Sequence, residues 1–313
     1  MSKITISELH QAIKQAQTII LTVHVHPDGD ALGSMLSMYE TLLQQGKDVV
    51  MVVDDSIPIK YKFLDHVDAI YHVNDYVQSH RADMLLVLDA STYERIGRVG
   101  ELSYATIYNI DHHVSNTNFA DGLYLQTNFA ATGEILTYLY KEWNWEITPS
   151  MANALYMAIA TDCGFFKFSN TTGHTLAMAA YCVDCGAMPH IVSEAIESTT
   201  IERIKITKLA MQTISFYKNG TVATIELHQE AMKTLGNDTD GFVDLIRNIN
   251  SVDIAILLKA QDDTTTRVSL RSKQTDVNAI ANHFGGGGHI RAAGCTISAS
   301  LEEAKRKLLQ VID

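Results

Sequence analysis

Short apolar runs in the first half of this chain end repeatedly in aspartate or histidine, and that recurrence most narrows what the chain can fold into. Ile19-Ile20-Leu21-Thr22-Val23 runs into His24-Val25-His26-Pro27-Asp28-Gly29-Asp30, and Leu85-Leu86-Val87-Leu88 runs into Asp89. Residues 105–110 lead into Asp111-His112-His113, and Ala158-Ile159-Ala160 into Thr161-Asp162. Acidic and imidazole groups gathered at the end of a buried strand are costly to fold unless a cation compensates their charge. In an open parallel sheet the carboxyl ends of the strands share one edge, and ligands bind there. His24, Asp28, Asp30, Asp89, His112 and Asp162 therefore read as the ligands of a two-metal centre at matching topological positions.

The same runs alternate with helical patterns up to about residue 185, which predicts an α/β domain with a mostly parallel sheet. Leu32, Met35, Leu36, Tyr39, Leu42 and Leu43 recur at helical spacing, with Gly46 placed to cap the helix. Residues 48–53 read as the next strand, and 131–142, 150–160 and 173–185 as further helices. Residues 188–218 are polar and helical in period, which predicts a helical linker between a first domain, 1–187, and a smaller α/β domain, 219–313. In that second domain, strands are expected near 221–227, 252–259 and 265–271, and helices at 229–235, 240–249, 276–283 and 301–312. A length of 313 residues accommodates two cores.

Charge divides along the same line. Of 24 Lys and Arg and 36 Asp and Glu, residues 201–313 hold 14 and 13, leaving 10 and 23 in the first 200. The acidity belongs to the half with the proposed ligands, where cations would offset it. It argues against tracking long duplex nucleic acid, which needs many basic contacts to phosphate. No apolar stretch reaches the roughly 18 residues of a membrane span, and the first eight residues lack the features of a signal peptide. The expectation is a cytoplasmic protein. Four cysteines are no disulfide framework at this size. Cys182 and Cys185 have half-site spacing for zinc, without a second pair.

Within the centre, Asp28 and Asp30 in an extended loop would share a face and each reach a different ion, with Gly29 allowing a tight turn between them. Asp89 is the natural bridge, because one carboxylate can give an oxygen to each metal. Oxygen and imidazole donors without thiolate point to Mn2+, with Mg2+ or Co2+ as substitutes. Two such ions about 3.5–4 Å apart suit phosphoryl transfer. In the second domain, Gly285 to Gly288 bring backbone N–H groups together, a pattern that cradles anions. Arg271 ends a strand-like alternation and could grip a phosphate bidentately, with Ser272 beside it and His289 and Arg291 following the glycines. Arg291 could equally pair with an acid, and Arg95 and Arg98 read as surface residues.

His24-x3-Asp28-x-Asp30-Ala31-x-Gly33-Ser34, Asp89, Asp111-His112-His113 and Thr161-Asp162 resemble the four motifs of the DHH phosphoesterase superfamily. Residues 285–294, Gly-Gly-Gly-Gly-His-Ile-Arg-Ala-Ala-Gly, resemble the GGGH motif of its associated C-terminal domain. The resemblance covers nearly the whole chain and implies two domains facing across a cleft with an Mn2+ pair on the first. It places His24 and Asp28 on one ion, Asp30, His112 and Asp162 on the other, and Asp89 on both. His113 would serve as acid or hydrogen-bond donor to the leaving group, oriented by Asp111. Arg271, Ser272, Gly286, Gly287, Gly288 and His289 would hold the distal phosphate or nucleotide. Two positions depart from the pattern: His26 is an additional histidine in the first motif, read as a neighbour rather than a ligand, and Cys163 stands where a threonine is common.

The substrates so implied are short RNA of two to five residues, the dinucleotide pApA, or the nucleoside bisphosphate 3′-phosphoadenosine 5′-phosphate. A cyclic-dinucleotide phosphodiesterase, an inorganic pyrophosphatase and a non-catalytic nucleotide sensor are the alternatives. Members tethered to membranes or acting on long DNA carry additional regions that are not visible here. A homodimer is compatible with the sequence.

Overall fold

The computed structural model describes residues 2–236, 239 and 241–312, and these form two compact units, 1–198 and 199–313. The first unit runs β1 (Ser2–Lys3), α1 (Ile6–Gln15), β2 (Thr18–Thr22), α2 (Gly29–Gln44), β3 (Asp48–Val53), β4 (Ile70–His72), β5 (Ala82–Leu88), β6 (Tyr104–Asp111) and β7 (Gly122–Leu125), then α3 (Thr132–Glu142), α4 (Pro149–Asp162), α5 (Gly173–Asp184) and α6 (Pro189–Glu197). Its seven strands are all parallel, in the order β1-β7-β6-β5-β2-β3-β4. The central strands read as unbroken apolar runs because both faces of the sheet are covered. One face packs on α1 to α6 through Ile19, Leu21, Leu86 and Leu88. The other packs Ile20, Leu85 and Val87 on Ile96 and Val99 of a 3-10 segment, Tyr93–Glu101.

Local chemistry fixes the helix ends. Thr5 and Glu8 form a reciprocal capping box at the start of α1, Glu8 Oε2 taking the Thr5 N–H at 2.7 Å. The buried Lys47 ammonium closes the other end, donating to the Ala16 carbonyl at 2.6 Å. Helix α4 is buried almost all round, from Met151 to Ala160, as expected of a helix at the centre of a layer. It crosses α2 at small residues: a Cβ on Gly29 would overlap the Thr161 side chain, and one on Gly33 the Ala154 carbonyl.

The second unit contains α7 (Ile201–Gln212), β8 (Ser215–Tyr217), β9 (Val222–Leu227), α8 (Gln229–Leu235), α9 (Phe242–Arg247), β10 (Ile254–Ala260), β11 (Thr266–Ser272), α10 (Val277–His283), β12 (Gly287–His289), β13 (Ala292–Ile297) and α11 (Leu301–Val311). Its mixed sheet has the order β12-β13-β11-β10-β9-β8, with only β9 and β10 parallel. Alternation along β10 explains the three layers. Ile254, Ile256 and Leu258 pack toward α10 and α11, while Ala255 and Leu257 pack toward α7 and α9.

Two expectations change. The stretch 188–218 is no separate linker: α6 buries Val192 in the first core, and α7 buries Ile206 and Ala210 in the second. The helix expected at 240–249 is the shorter α9, and Asp240 lies outside the described residues. Among the described residues no single helix is long and apolar enough to cross a membrane.

Candidate metal centre

Asp28, Asp30, Asp89, His24, His112 and Asp162 are brought together at the carboxyl edge of the parallel sheet. Asp89, just past β5, takes a left-handed backbone, φ 57°. Such a conformation is strained for a non-glycine residue and concentrates at functional sites. It leaves the carboxylate between two groups of donors. Asp89 Oδ2 lies 3.4 Å from His24 Nε2, which is 3.6 Å from Asp28 Oδ2. Asp89 Oδ1 lies 3.5 Å from His112 Nε2, which is 3.8 Å from Asp30 Oδ2 and 3.7 Å from Asp162 Oδ2. One oxygen of Asp89 thus faces each group, the arrangement of a bridging ligand. These separations are wider than ordinary hydrogen bonds.

The donor set fits a pair of divalent cations. His24 Nδ1 bonds the Val25 carbonyl at 2.8 Å, and His112 Nδ1 the Phe129 carbonyl at 3.3 Å. A carbonyl partner requires the proton on Nδ1 and leaves the Nε2 lone pair for a ligand, a recurrent support of metal-bound histidine. Asp30 and Asp89 are 1% and 2% exposed, and among the described residues no lysine or arginine pairs with any of the carboxylates. Burial, followed by Asp89 and Asp162, raises the proton affinity of Asp30 well above the usual range. Burial with Asp89 and Asp28 pushes Asp162 up to about 6 against the pull of His112. On the histidines burial opposes the charge, but the carboxylates outweigh it: Asp28 and Asp89 for His24, Asp89 and Asp30 for His112, each pushed up to about 10. Burial disfavours the charge on Asp89, yet His112 and His24 bring its proton affinity below the ordinary value. A negative site that holds protons on its imidazoles suits cations that displace them.

Asp111 is fully buried and accepts His113 Nδ1–H at 2.7 Å on one oxygen and the Asn116 amide at 2.6 Å on the other. His113 therefore has a fixed ring and Nε2 as its working atom, 3.7 Å separating Nδ1 from Asp89 Oδ1.

Three expectations need correction. Asp28 and Asp30 are not in an extended loop: Asp28 is the N-cap of α2, one oxygen accepting the Ala31 N–H at 3.0 Å, and Asp30 lies in the first turn. Gly29 serves the close crossing with α4 rather than a tight turn. Asp162 ends helix α4, not a strand. His26, its side chain 78% exposed, joins none of the three ligand groups among the described residues; Asp55 holds its Nδ1 at 2.5 Å and its backbone N–H at 3.1 Å. Cys163 is buried with its thiol proton affinity raised by burial, and burial pushes Cys182 up to about 12. Neither belongs to a ligand group among the described residues.

Sequence reading missed Thr132 and Gly133. Their N–H groups, at the start of α3, donate to Asp30 at 2.6 and 2.8 Å, and Thr132 Oγ1 donates to Asp89 Oδ1 at 3.0 Å. The available signal was negative: α3 begins after Ala131 without a capping side chain, so an acid from elsewhere must serve.

In the second unit, Arg271 pairs with Ala292 and Ala292 with His289 across three strands, which sets Arg271 and His289 in one row on one face. The next row is Ser269, Gly294 and Gly287, so glycine leaves backbone open beside them. The rest of the expected cradle dissolves. The Gly285 and Gly286 N–H groups are used by the Asn282 and Ala281 carbonyls at the end of α10. A Cβ on Gly286 would overlap Gly294, and one on Gly288 the Ala292 carbonyl, so both are close-packing glycines. Ser272 is buried on the opposite face and donates its hydroxyl to the Thr275 carbonyl at 2.5 Å. Arg291 binds that carbonyl at 3.0 Å rather than an acid. Arg98 is held by Asp54 and Asn74.

A model of the DHH family N-terminal domain matches residues 18–159, and one of the DHHA1 domain matches residues 219–313. The bifunctional oligoribonuclease and PAP phosphatase NrnA of Thermus thermophilus is 29% identical over 297 residues, 94% of this chain and 89% of the relative. The protein of the same name from Bacillus subtilis is 28% identical over 312 residues, 96% of each. A crystal structure of an exopolyphosphatase-related protein from Bacteroides fragilis shares the fold, with a TM-score of 0.89 at 24% identity over 97% of this chain and 94% of that one. With the two domain models matched in tandem, the chain carries a DHH N-terminal domain followed by a C-terminal DHHA1 domain.

Proposed function

We propose that the protein hydrolyses phosphoester bonds of short nucleotides: oligoribonucleotides of a few residues, pApA, and 3′-phosphoadenosine 5′-phosphate. The observation that carries this reading is Asp89, with one oxygen toward His24 and the other toward His112. The relatives named as oligoribonuclease and PAP phosphatase, matched over nearly their full length, supply the substrate class. Two divalent cations, Mn2+ by preference and Mg2+ or Co2+ as substitutes, would be held by His24 and Asp28 and by Asp30, His112 and Asp162, with Asp89 shared. When bound, such a pair activates water and offsets charge that develops on the phosphoryl oxygens.

The chain's own residues do the remainder. Asp111 orients His113, which holds or moves a proton at Nε2 for the departing oxygen. Asp28 caps α2 with one oxygen and keeps the other toward His24, so the helix start sets the ligand. Arg271 and His289 would take a second phosphate of the substrate, and the side-chain-free row of Gly294 and Gly287 leaves room for a sugar or base.

The test is Mn2+-dependent release of mononucleotide from pApA, with 3′-phosphoadenosine 5′-phosphate and pyrophosphate assayed in parallel. The expected result is turnover of the two nucleotides that stops with chelator. Hydrolysis of pyrophosphate alone, or nucleotide binding without turnover, would overturn the proposal.

A further inference from the structure

The six residues 129–134 touch three ligands of the centre. The Phe129 carbonyl holds His112, the Thr132 and Gly133 N–H groups hold Asp30, and the Thr132 hydroxyl holds one oxygen of Asp89. All four contacts fall on the same side of Asp89, the side of Oδ1. The other side has a different support: His24 rests on the Val25 carbonyl and Asp28 on the Ala31 N–H. The two halves of the centre are therefore braced by different parts of the chain.

What shapes residues 129–134 is Glu134, whose side chain is fully buried. Among the described residues it has no lysine or arginine partner. Instead Oε2 accepts the Ala130 N–H at 2.7 Å and the Thr175 hydroxyl at 3.0 Å, and Oε1 bonds His174 Nδ1 at 2.6 Å. The His174 ring in turn lies 4.6 Å from the ring of Phe129. The Ala130 carbonyl receives the Asn170 amide at 3.4 Å, and that amide also reaches the backbone carbonyl of Asp162 at 3.3 Å. Every contact that Glu134 makes thus fixes either the stretch that holds His112 and Asp30 or the start of α5 beside it. A buried carboxylate is costly compared with an apolar residue of similar size. By accepting the Ala130 N–H while the His174 ring and the Thr175 hydroxyl hold it from α5, Glu134 ties the backbone at Ala130 to α5, which an apolar side chain could not do.

We infer that Glu134, together with His174, is a positioning pair for the cation held by Asp30, His112 and Asp162, and acts far less on the His24–Asp28 cation, which shares only Asp89 with it. This rests on the two-cation reading. The outer partners of metal ligands set affinity over a range of about 10- to 100-fold, and here that leverage falls mainly on one site of two. A glutamate that served only to staple the fold would act on both sites alike, or on neither.

The experiment titrates the full-length chain with Mn2+ alone, followed by calorimetry and by electron paramagnetic resonance of the free ion. Wild type should show two sites. Glu134→Gln keeps the volume but offers one acceptor oxygen to three donors, and one class of site should lose about 10- to 100-fold in affinity while the other stays within about threefold. His174→Ala removes one donor and the ring contact with Phe129 at the half-exposed end; it should move the same site by about tenfold, the lower end of that range. Equal weakening of both sites in either folded variant, or two unchanged sites in His174→Ala, would overturn the inference. A wild-type chain that takes up no Mn2+ would sink the metal reading itself, and the inference with it.

Discussion

Asp89 combines three properties that few side chains share: a left-handed backbone, near-complete burial, and two oxygens aimed at different histidines. Asp89→Ala should lower pApA turnover by about a thousandfold or more, because both cations lose a ligand at once. Mn2+ stoichiometry measured on the same sample should fall with it, and a variant that keeps both ions would remove Asp89 from the bridging role. Asp111→Asn addresses a different atom. An amide turned by Asn116 can present N–H to His113 Nδ1 and reverse the tautomer, so kcat should drop by about 100-fold with Mn2+ affinity preserved. A parallel loss of metal would instead make Asp111 part of the ligand support.

At the scale of elements, the centre depends on how closely α2 and α4 approach, since Asp30 rides on one helix and Asp162 on the other. Gly29 and Gly33, one turn apart on α2, face Thr161, Ala154 and Ala158 on α4. Gly33→Ala puts a methyl group into the Ala154 carbonyl and should cost about 1–3 kcal/mol, read as a lower melting midpoint together with weaker Mn2+ binding. An unchanged midpoint would show that the helices can yield. In the second unit Asp253 pins the turn after β11. Its carboxylate takes the N–H groups of Lys273 and Gln274 at 3.0 and 2.6 Å and the Thr275 hydroxyl at 2.5 Å. Burial opposes the charge, but the Thr275 hydroxyl and these N–H groups outweigh it, so the folded proton affinity lies below the ordinary carboxylate value. A depressed value stabilises the fold above the unfolded pKa of about 3.9. That contribution is lost as pH falls through the folded value. Asp253→Asn should remove this part of the acid sensitivity and cost about 1–2 kcal/mol at neutral pH, measured by urea unfolding at pH 7 and at about pH 3, below the unfolded value.

The whole molecule contains two units with separate cores, and the six candidate ligands all belong to the first. Mn2+ should therefore stabilise only the unfolding of residues 1–198, by about 2.7 kcal/mol at a hundredfold excess over Kd, and chelation should reverse the shift. Scanning calorimetry of the full chain with and without Mn2+ checks this, and an equal shift throughout would mean that the units unfold together. The charge division agrees with that assignment, since the acidic half is the half with the ligands.

The amino-acid sequence alone determined the α/β class and most helices and singled out the six candidate ligands, because apolar period and strand-end acids are local patterns. The pairing of Asp89 with both histidines could be named from motif order, since each half of the centre follows an apolar run. Only the tertiary structure decided what depends on distance between remote segments. It showed Gly29 and Gly33 as contact points between helices, Gly286 and Gly288 as close-packing residues instead of an anion cradle, and Ser272 as buried. It also revealed the hydrogen bonds of Thr132 and Gly133 to Asp30 and Asp89, and the burial of Glu134 beside them. A glycine reads alike whether it serves a turn, a crossing or a ligand, and a glutamate in a helical pattern reads as solvent-facing. Which neighbour fills the space beside each is set by chain segments dozens of residues away, and no local spacing encodes that.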